Sequence, residues 1–303
     1  MPDEGSFLDL DKSCHGLTPI SVDTWNGFVF ICIDQTPAMS LSEFLDPMYG
    51  GLKDYPFERF TACYSCNTIV DCNWKVAIDA FQETCHVGYV HGRSIADAIM
   101  TDEDGDPHPI DGPCGDVHRR LGVAGNPKAA TQGSAGGADD SVAGAQATGK
   151  AIASKALKVG AGGTKLDFSD VVLPDLLNWT NHPHGAFDIN AMFPDFYLSC
   201  RPDYLQAYNF RPISHNKTSF ETRACYPEMK TAGGRFYQEY MKVALRDVLL
   251  EDLGALEMTR KAAETGAKSH MILQDFEIMV RHRMHVVEKL IAQGQARDAI
   301  AAE

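Results

Sequence analysis

No apolar run in this sequence approaches the roughly 18 residues that a membrane-spanning helix requires. The longest, Phe28 to Ile33, has the length of a strand. Met1-Pro2-Asp3-Glu4 is acidic and no apolar core follows it, so no signal peptide is expected in this stretch. Positive charge is scarce. Lys and Arg total 27 against 41 Asp and Glu, a formal net charge of −14. That balance argues against nucleic acid, whose phosphates need cations to neutralise them. Internal repeats are missing. Cysteine is present but not as a disulfide framework: nine residues, an odd number, are scattered over a long chain. Reduced thiols in a cytoplasm are therefore expected, acting as small buried hydrophobes.

What is there belongs to a globular protein. Hydrophobic residues make up 44% and charged residues 22% of the 303, enough to bury one large core or two small ones. Residues 20–34 read as two strands joined at Asn26-Gly27, the strongest short hairpin signal. Two strands cannot bury a face alone, so the hairpin packs on the rest or ends a larger domain. Residues 57–71 read as a further strand. Over 73–86, Trp74, Ile78, Phe81 and Cys85 recur at helical spacing. From about 122 to 165 the chain turns Gly/Ala-rich, which predicts a mobile insertion with a short helix near 147–157. Residues 185–227 alternate with period two, as antiparallel strands with a turn at Ser214-His215-Asn216-Lys217. Residues 234–300 are helical, with breaks near Gly254 and Thr265-Gly266. Nothing alternates as βαβ, so the fold class is α+β.

The chemistry concentrates in Glu83-Thr84-Cys85-His86-Val87-Gly88-Tyr89-Val90-His91. Two His five apart point about 140° from each other on an ideal helix. If the helix ends at His86 and the chain turns at Gly88, both imidazoles can converge. Neutral imidazoles suit iron, zinc, copper and nickel, and a third ligand must come from elsewhere. For an isolated pair of this kind a cap and a solvated turn is the commoner explanation. Cys63, Cys66 and Cys72 lack a fourth zinc ligand and read as strand or buried cysteines. His182, His184, His282 and His285 read as surface or packing residues. Met192, Phe193, Phe196, Tyr197 and Tyr208 would suit an apolar pocket or plain core.

The stretch NWKVAIDAFQETCHVGYVH resembles the iron-binding helix of Rieske-type non-haem iron oxygenases, the alpha subunits of ring-hydroxylating systems. GLTPISVDTWNGFVFICID resembles the end of that family's Rieske domain, and LLEDLGALEMTRKAAETGAKSH resembles the helix that brings its third ligand. The resemblance implies a helix-grip catalytic domain over 37–303, an antiparallel sheet around a long C-terminal helix. Residues 1–36 would be the remnant of the Rieske β domain. It also implies His86, His91 and Asp252 as ligands of a mononuclear Fe(II), in preference to Asp275. Glu83 would bridge the iron to a cluster-bearing neighbouring subunit, with Asp79 extending that polar path. Implied too are O2, an aromatic or polycyclic apolar substrate, and electrons from NAD(P)H through a partner reductase, with or without a ferredoxin. The assembly would be a homotrimer, with or without small beta subunits.

One departure stands out. A Rieske [2Fe–2S] cluster needs a Cys-x-His and a Cys-x2-His pair, and only the adjacent Cys14-His15 precedes residue 30. The expectation is a fragment, a late start, or a catalytic subunit fed by another polypeptide. Two other readings stay open: a metal-dependent hydrolase using the same ligands, and an apolar-ligand carrier with a helix-grip cavity and no catalysis.

Overall fold

The computed structural model describes residues 4–8, 11–96, 99, 109–112, 115–125, 171–178 and 185–301. Strands β1 (Ser21–Trp25) and β2 (Phe28–Cys32) pair as a separate two-stranded sheet. The turn between them places Asn26 at φ 48° and Gly27 at φ 85°, the left-handed pair of values that Asn-Gly supplies with least strain. The hairpin buries one side only. Trp25 stacks with Phe28 and meets Phe57 edge-on, and Phe28 and Phe30 close on Phe196 of the main sheet. Val22, Val29, Ile31 and Ile33 stay exposed.

Helices α1 (Leu41–Leu45) and α2 (Met48–Gly51) follow, the first opened by a Ser40/Glu43 capping box. Seven strands then form one antiparallel sheet. They are β3 (Ala62–Val70), β4 (Pro109–Asp111), β5 (Arg119–Ala124), β6 (Gly185–Met192), β7 (Phe196–Cys200), β8 (Leu205–Ser214) and β9 (Lys217–Tyr226). Their order is β3-β9-β8-β7-β6-β5-β4. Between β3 and β4 lie two short helices, α3 (Trp74–Asp79) and α4 (Val87–Val90). The chain closes with α5 (Ala232–Glu264) and α6 (Ile278–Ala301).

Period-two alternation sorts the sheet into two cores. Leu198, Cys200, Leu205 and Ala207 face the hairpin, α1 and α2. Their neighbours Tyr197, Tyr208, Phe210 and Phe220 face α3 and α5, against Ile78, Phe81, Leu249 and Leu256. Burying one such side chain contributes about 1.5–3 kcal/mol, so the stripe on α5 is what seats the helix on the sheet. The architecture is α+β, with the long helix in the concave face.

Several expectations need correcting. The helix predicted to His86 stops at Asp79, because the next amides turn tighter: Phe81 N–H donates to Ile78 O and Gln82 N–H to Asp79 O. Gly88 sits inside α4 rather than loosening a turn. Gly254 does not break α5. One interior glycine costs about 1 kcal/mol, which the apolar contacts on either side outweigh. Cys63 and Cys225 are not free thiols. They are direct partners in the β3–β9 register and form a disulfide, their Cα atoms 4.0 Å apart. Cys66 and Cys72 are free. Of the insertion expected at 122–165, residues 122–124 end β5, and the remainder, with its short helix, lies outside the described residues beyond 125. So do His182 and His184.

His118, just before β5, ties three segments together. Its Nε2 donates to Phe44 O at 2.5 Å and its Nδ1 accepts the Phe193 N–H at 2.9 Å. Only the neutral imidazole with the proton on Nε2 satisfies both. Burial pushes its pKa below the ordinary value. A depressed folded pKa gives stability that is fully present above the unfolded pKa, and that stability is lost as pH falls through the folded one. We expect the urea midpoint to fall more steeply between about pH 7.5 and 5 in the wild type than in His118→Gln. Parallel slopes would show that this imidazole is not held neutral.

Candidate metal centre

Asn73 starts the local structure. Its side-chain oxygen accepts the Lys75 N–H at 3.0 Å, capping α3, while its amide nitrogen donates to His215 O. The capped helix drops Ile78 and Phe81 into the core and delivers the chain to Glu83. There the carboxylate captures the backbone N–H of Cys85 at 2.5 Å and of His86 at 3.3 Å. It also accepts from His86 Nδ1. A buried amide must find a partner, and here Glu83 supplies it, turning the chain so that His86 and His91 flank the one-turn helix α4. Their ring centroids are 5.1 Å apart. The 140° divergence of a continuous helix is thereby avoided.

The third donor comes from α5, some 160 residues later. Asp252 lies on the buried stripe with Leu249 and Leu256. Its Oδ1 is 3.1 Å from His91 Nε2 and 3.5 Å from His86 Nε2. One donor atom from each of the three residues falls within 4.8 Å of the others. Glu251 was not singled out from the sequence. Consecutive helix residues point about 100° apart, and Glu251 thereby reaches the other side of the same imidazole, Oε2 to His91 Nδ1 at 2.9 Å. Ser94 Oγ donates to that carboxylate at 2.6 Å. An acidic residue directly before the ligand was the signal available in the sequence.

The donor set fits a divalent transition ion. Carboxylates take both Nδ1 protons, which fixes the tautomers and leaves both Nε2 lone pairs turned towards Asp252. Two imidazoles and one carboxylate on one side match the preference of ferrous, zinc and related ions. The electrostatics agree. Burial would lower the pKa of His91, but bonds to Asp252 and Glu251 outweigh it and raise the value above the ordinary one. Three carboxylates around two imidazoles are short of positive charge.

Asp275 takes no part. It is exposed and faces Arg281 at 3.5 Å. Asp79, expected to extend the polar path from Glu83, has its carboxylate paired with a cation. It is locked by Arg283 of α6, whose Nε and Nη2 donate at 2.5 and 2.7 Å. Burial lifts the Asp79 carboxyl to about 6 despite this partner. His282 is half-buried and His285 exposed. Of the five residues proposed for a pocket, only Tyr208 lines the cavity beside the centre. Met192 and Phe196 belong to the opposite core.

That cavity, of about 130 Å³, has His86, His91, Asp252 and Glu83 at one end and mostly apolar walls, including Phe81, Leu121, Ile189 and Leu249. A wider groove of about 370 Å³ lies on the other side. Glu83, His86 and Asp252 border both.

Comparison with known proteins places these features in context. The family model described as "Ring hydroxylating alpha subunit (catalytic domain)" matches residues 54–293. The oxygenase subunit of glycine betaine monooxygenase from Chromohalobacter salexigens is 30% identical over 100 residues, 33% of this chain and 22% of that one. Its Pseudomonas aeruginosa counterpart is 26% identical over 99 residues, 33% and 23% of the two chains. The match thus spans about a fifth of those curated relatives. Among solved structures, a quaternary ammonium Rieske monooxygenase shares the fold with a TM-score of 0.63 at 14% identity, over 95% of this chain and 66% of that one. Naphthalene 1,2-dioxygenase from Rhodococcus sp. bound to indole does so with 0.57 at 16%, over 95% and 70%.

The Asp79–Arg283 pair couples α6 to the helix that leads into the centre, and it yields a test. Breaking a buried pair from one side costs about 3–5 kcal/mol, because the survivor is stranded. Arg283→Ala should lose about that much in urea unfolding. The double variant Asp79→Ala/Arg283→Ala should regain part of it. A double variant as weak as the sum of the two single ones would show that the pair is not coupled.

Proposed function

Because the chain belongs to the ring-hydroxylating alpha-subunit family, we propose that it is the oxygenase component of a Rieske-type system, an oxidoreductase whose mononuclear iron is held by His86, His91 and Asp252. The observation that carries this reading is the meeting of the three donors within 4.8 Å beside an apolar cavity. When bound, ferrous iron supplies the activation of O2 that lets one or two oxygen atoms enter an organic substrate, with electrons drawn from NAD(P)H.

The chain's own residues set the conditions for that chemistry. Glu83 and Glu251 keep the Nδ1 protons in place, so the imidazoles stay neutral donors at Nε2. Ile95, Ile99, Leu121, Ile189 and Leu249 keep water from the cavity and favour a substrate with an apolar body. The cavity falls below the roughly 300–1,000 Å³ of common ligand pockets, which favours a compact substrate over a large polycyclic one. Glycine betaine, the compound in the name of the curated relatives, is compact in this sense.

Electrons would enter from the groove side. Glu83 borders both the groove and the cavity, and we assign it the link between His86 and a [2Fe–2S] cluster on a neighbouring subunit. No Cys-x-His or Cys-x2-His pair stands ahead of the β1–β2 hairpin in these 303 residues, so the cluster would be presented from outside them. Residues 1–36 fit the closing hairpin of the domain that carries it, and 37–303 the catalytic domain. The partners would be a reductase, with or without a ferredoxin, in a trimer.

Metal analysis after anaerobic iron loading tests the ligand set. We expect one iron per chain, lost in His86→Ala, His91→Ala and Asp252→Ala, and kept in Asp275→Ala. Full occupancy in Asp252→Ala would overturn the assignment. Tight zinc with no O2 uptake would favour the hydrolase. Organic ligand bound equally with and without iron would favour the carrier. Glu83→Gln should retain iron yet slow its reduction by a cluster-bearing partner at least tenfold. Unchanged reduction would rule out the link.

A further inference from the structure

Each imidazole of the candidate centre leans on one carboxylate, but the two carboxylates are held in different ways. Glu83 is fixed by the backbone. It accepts the N–H groups of Cys85 and His86 as well as His86 Nδ1. Glu251 has no such grip. It stands in the middle of α5, where the main-chain amides are spent on the helix itself. Among the described residues its carboxylate receives two donors, both on Oε2: His91 Nδ1 at 2.9 Å and Ser94 Oγ at 2.6 Å. The Glu251 side chain is 25% exposed, against 3% for His91. Without Ser94, a long side chain beside solvent would be tied only to the imidazole that it orients, and its rotamer freedom would oppose that tie.

The backbone folds back to put Ser94 there. The N–H groups of Ser94 and Ala96 both donate to His91 O, at 3.0 and 3.1 Å, so the turn after α4 curls around His91. The Ser94 hydroxyl carries one proton. Its oxygen lies 3.5 Å from His91 O and 2.6 Å from Glu251 Oε2, so the proton goes to the carboxylate. A hydroxyl at that distance from a carboxylate makes a charge-assisted bond. The result is a closed ring. The His91 backbone holds Ser94, the Ser94 hydroxyl holds Glu251, and Glu251 holds the His91 imidazole. The ring ties the turn after α4 to α5 at Nδ1, while Nε2 of the same imidazole faces Asp252.

We propose that Ser94 is a positioning residue of the metal centre: its hydroxyl holds Glu251, and through Glu251 it sets the ring plane and the tautomer of His91. Ser94 is not among the residues that line the cavity, so its action on the centre passes through the carboxylate. Partners of this kind, which hold the second nitrogen of a metal-binding imidazole, govern how well the first nitrogen is aimed. The effect is confined to one ligand, because His86 has Glu83 for the same task. The proposal rests on the metal reading above for what the imidazole holds, while the ordering of His91 stands or falls alone.

The test uses the full chain stripped of metal. Zinc and cobalt affinities are measured by competition with a chelator. Exchange of the His91 Nδ1 proton with water is followed by NMR on protein carrying heavy nitrogen in its histidines. Losing such a partner weakens metal binding by about 10–100-fold, so Ser94→Ala should bind both ions about tenfold or more weakly. Its urea midpoint should stay at the wild-type value, and its Nδ1 proton should exchange faster. Ser94→Thr keeps the hydroxyl and should restore all three. In a Glu251→Ala background Ser94→Ala should add nothing, because the group through which it acts is gone. Wild-type affinity in Ser94→Ala overturns the proposal. So does a loss that threonine does not repair, a loss that adds in full to that of Glu251→Ala, or a loss that tracks a fall in stability. A wild-type chain that binds neither ion defeats the reading of the centre. Proton exchange then decides on Ser94 by itself, and an unchanged rate in Ser94→Ala overturns its role.

Discussion

The seat of α5 in the concave face of the sheet is the constraint on which the rest depends. Asp252 has no local reason to approach His86 and His91. It is brought there because Leu249 and Leu256, on the same helical stripe, bury against Phe81, Phe210 and Phe220. Apolar burial, which is non-directional, thus does the placing, and directional groups then refine it. The carboxylates of Glu83 and Glu251 turn each imidazole so that its free nitrogen faces Asp252. Packing sets position to within a turn of helix, and hydrogen bonds set the last ångström.

The same division of labour separates the two faces of the sheet. Alternation along β7 and β8 sends Leu198, Leu205 and Ala207 to a core that supports. It sends Ser199, Gln206 and Tyr208 to the face that borders the cavity. A shift of register by one residue would exchange the two sets. The disulfide between Cys63 and Cys225 and the long β8–β9 and β3–β9 ladders all oppose such a slip. The sheet is therefore both scaffold and wall.

Much of this was legible in the amino-acid order. Asn26-Gly27 announced its hairpin because only residues tolerant of positive φ close so tight a turn. The period-two stretches over 185–227 became β6 to β9 almost residue for residue. That His86, His91 and Asp252 come together was readable through the resemblance, and so was a carboxylate at Glu83 beside His86. Pairwise facts that depend on tertiary register were not readable. Cys63 and Cys225 stand 162 residues apart, and nothing local marks them as partners. Asp79 looked like a continuation of the Glu83 path, since helical spacing cannot reveal an arginine arriving from α6. The helix through 73–86 was overdrawn because apolar spacing persists after the backbone has tightened. Glu251 was passed over since a carboxylate next to a ligand looks like surface until the imidazole it serves is in view.

The pairing of Asp79 with Arg283 has a bearing on how the chain is made. Its two halves are 204 residues apart, and at about 5–20 residues per second synthesis needs on the order of ten to forty seconds to span them. Until the second half has left the ribosome, the acid lacks the guanidinium that pairs with it, and α3 lacks its tie to α6. Nascent chains cut short before that point would display an unsettled, acid-bearing turn, the sort of feature by which chaperones and proteases sort unfinished products from finished ones.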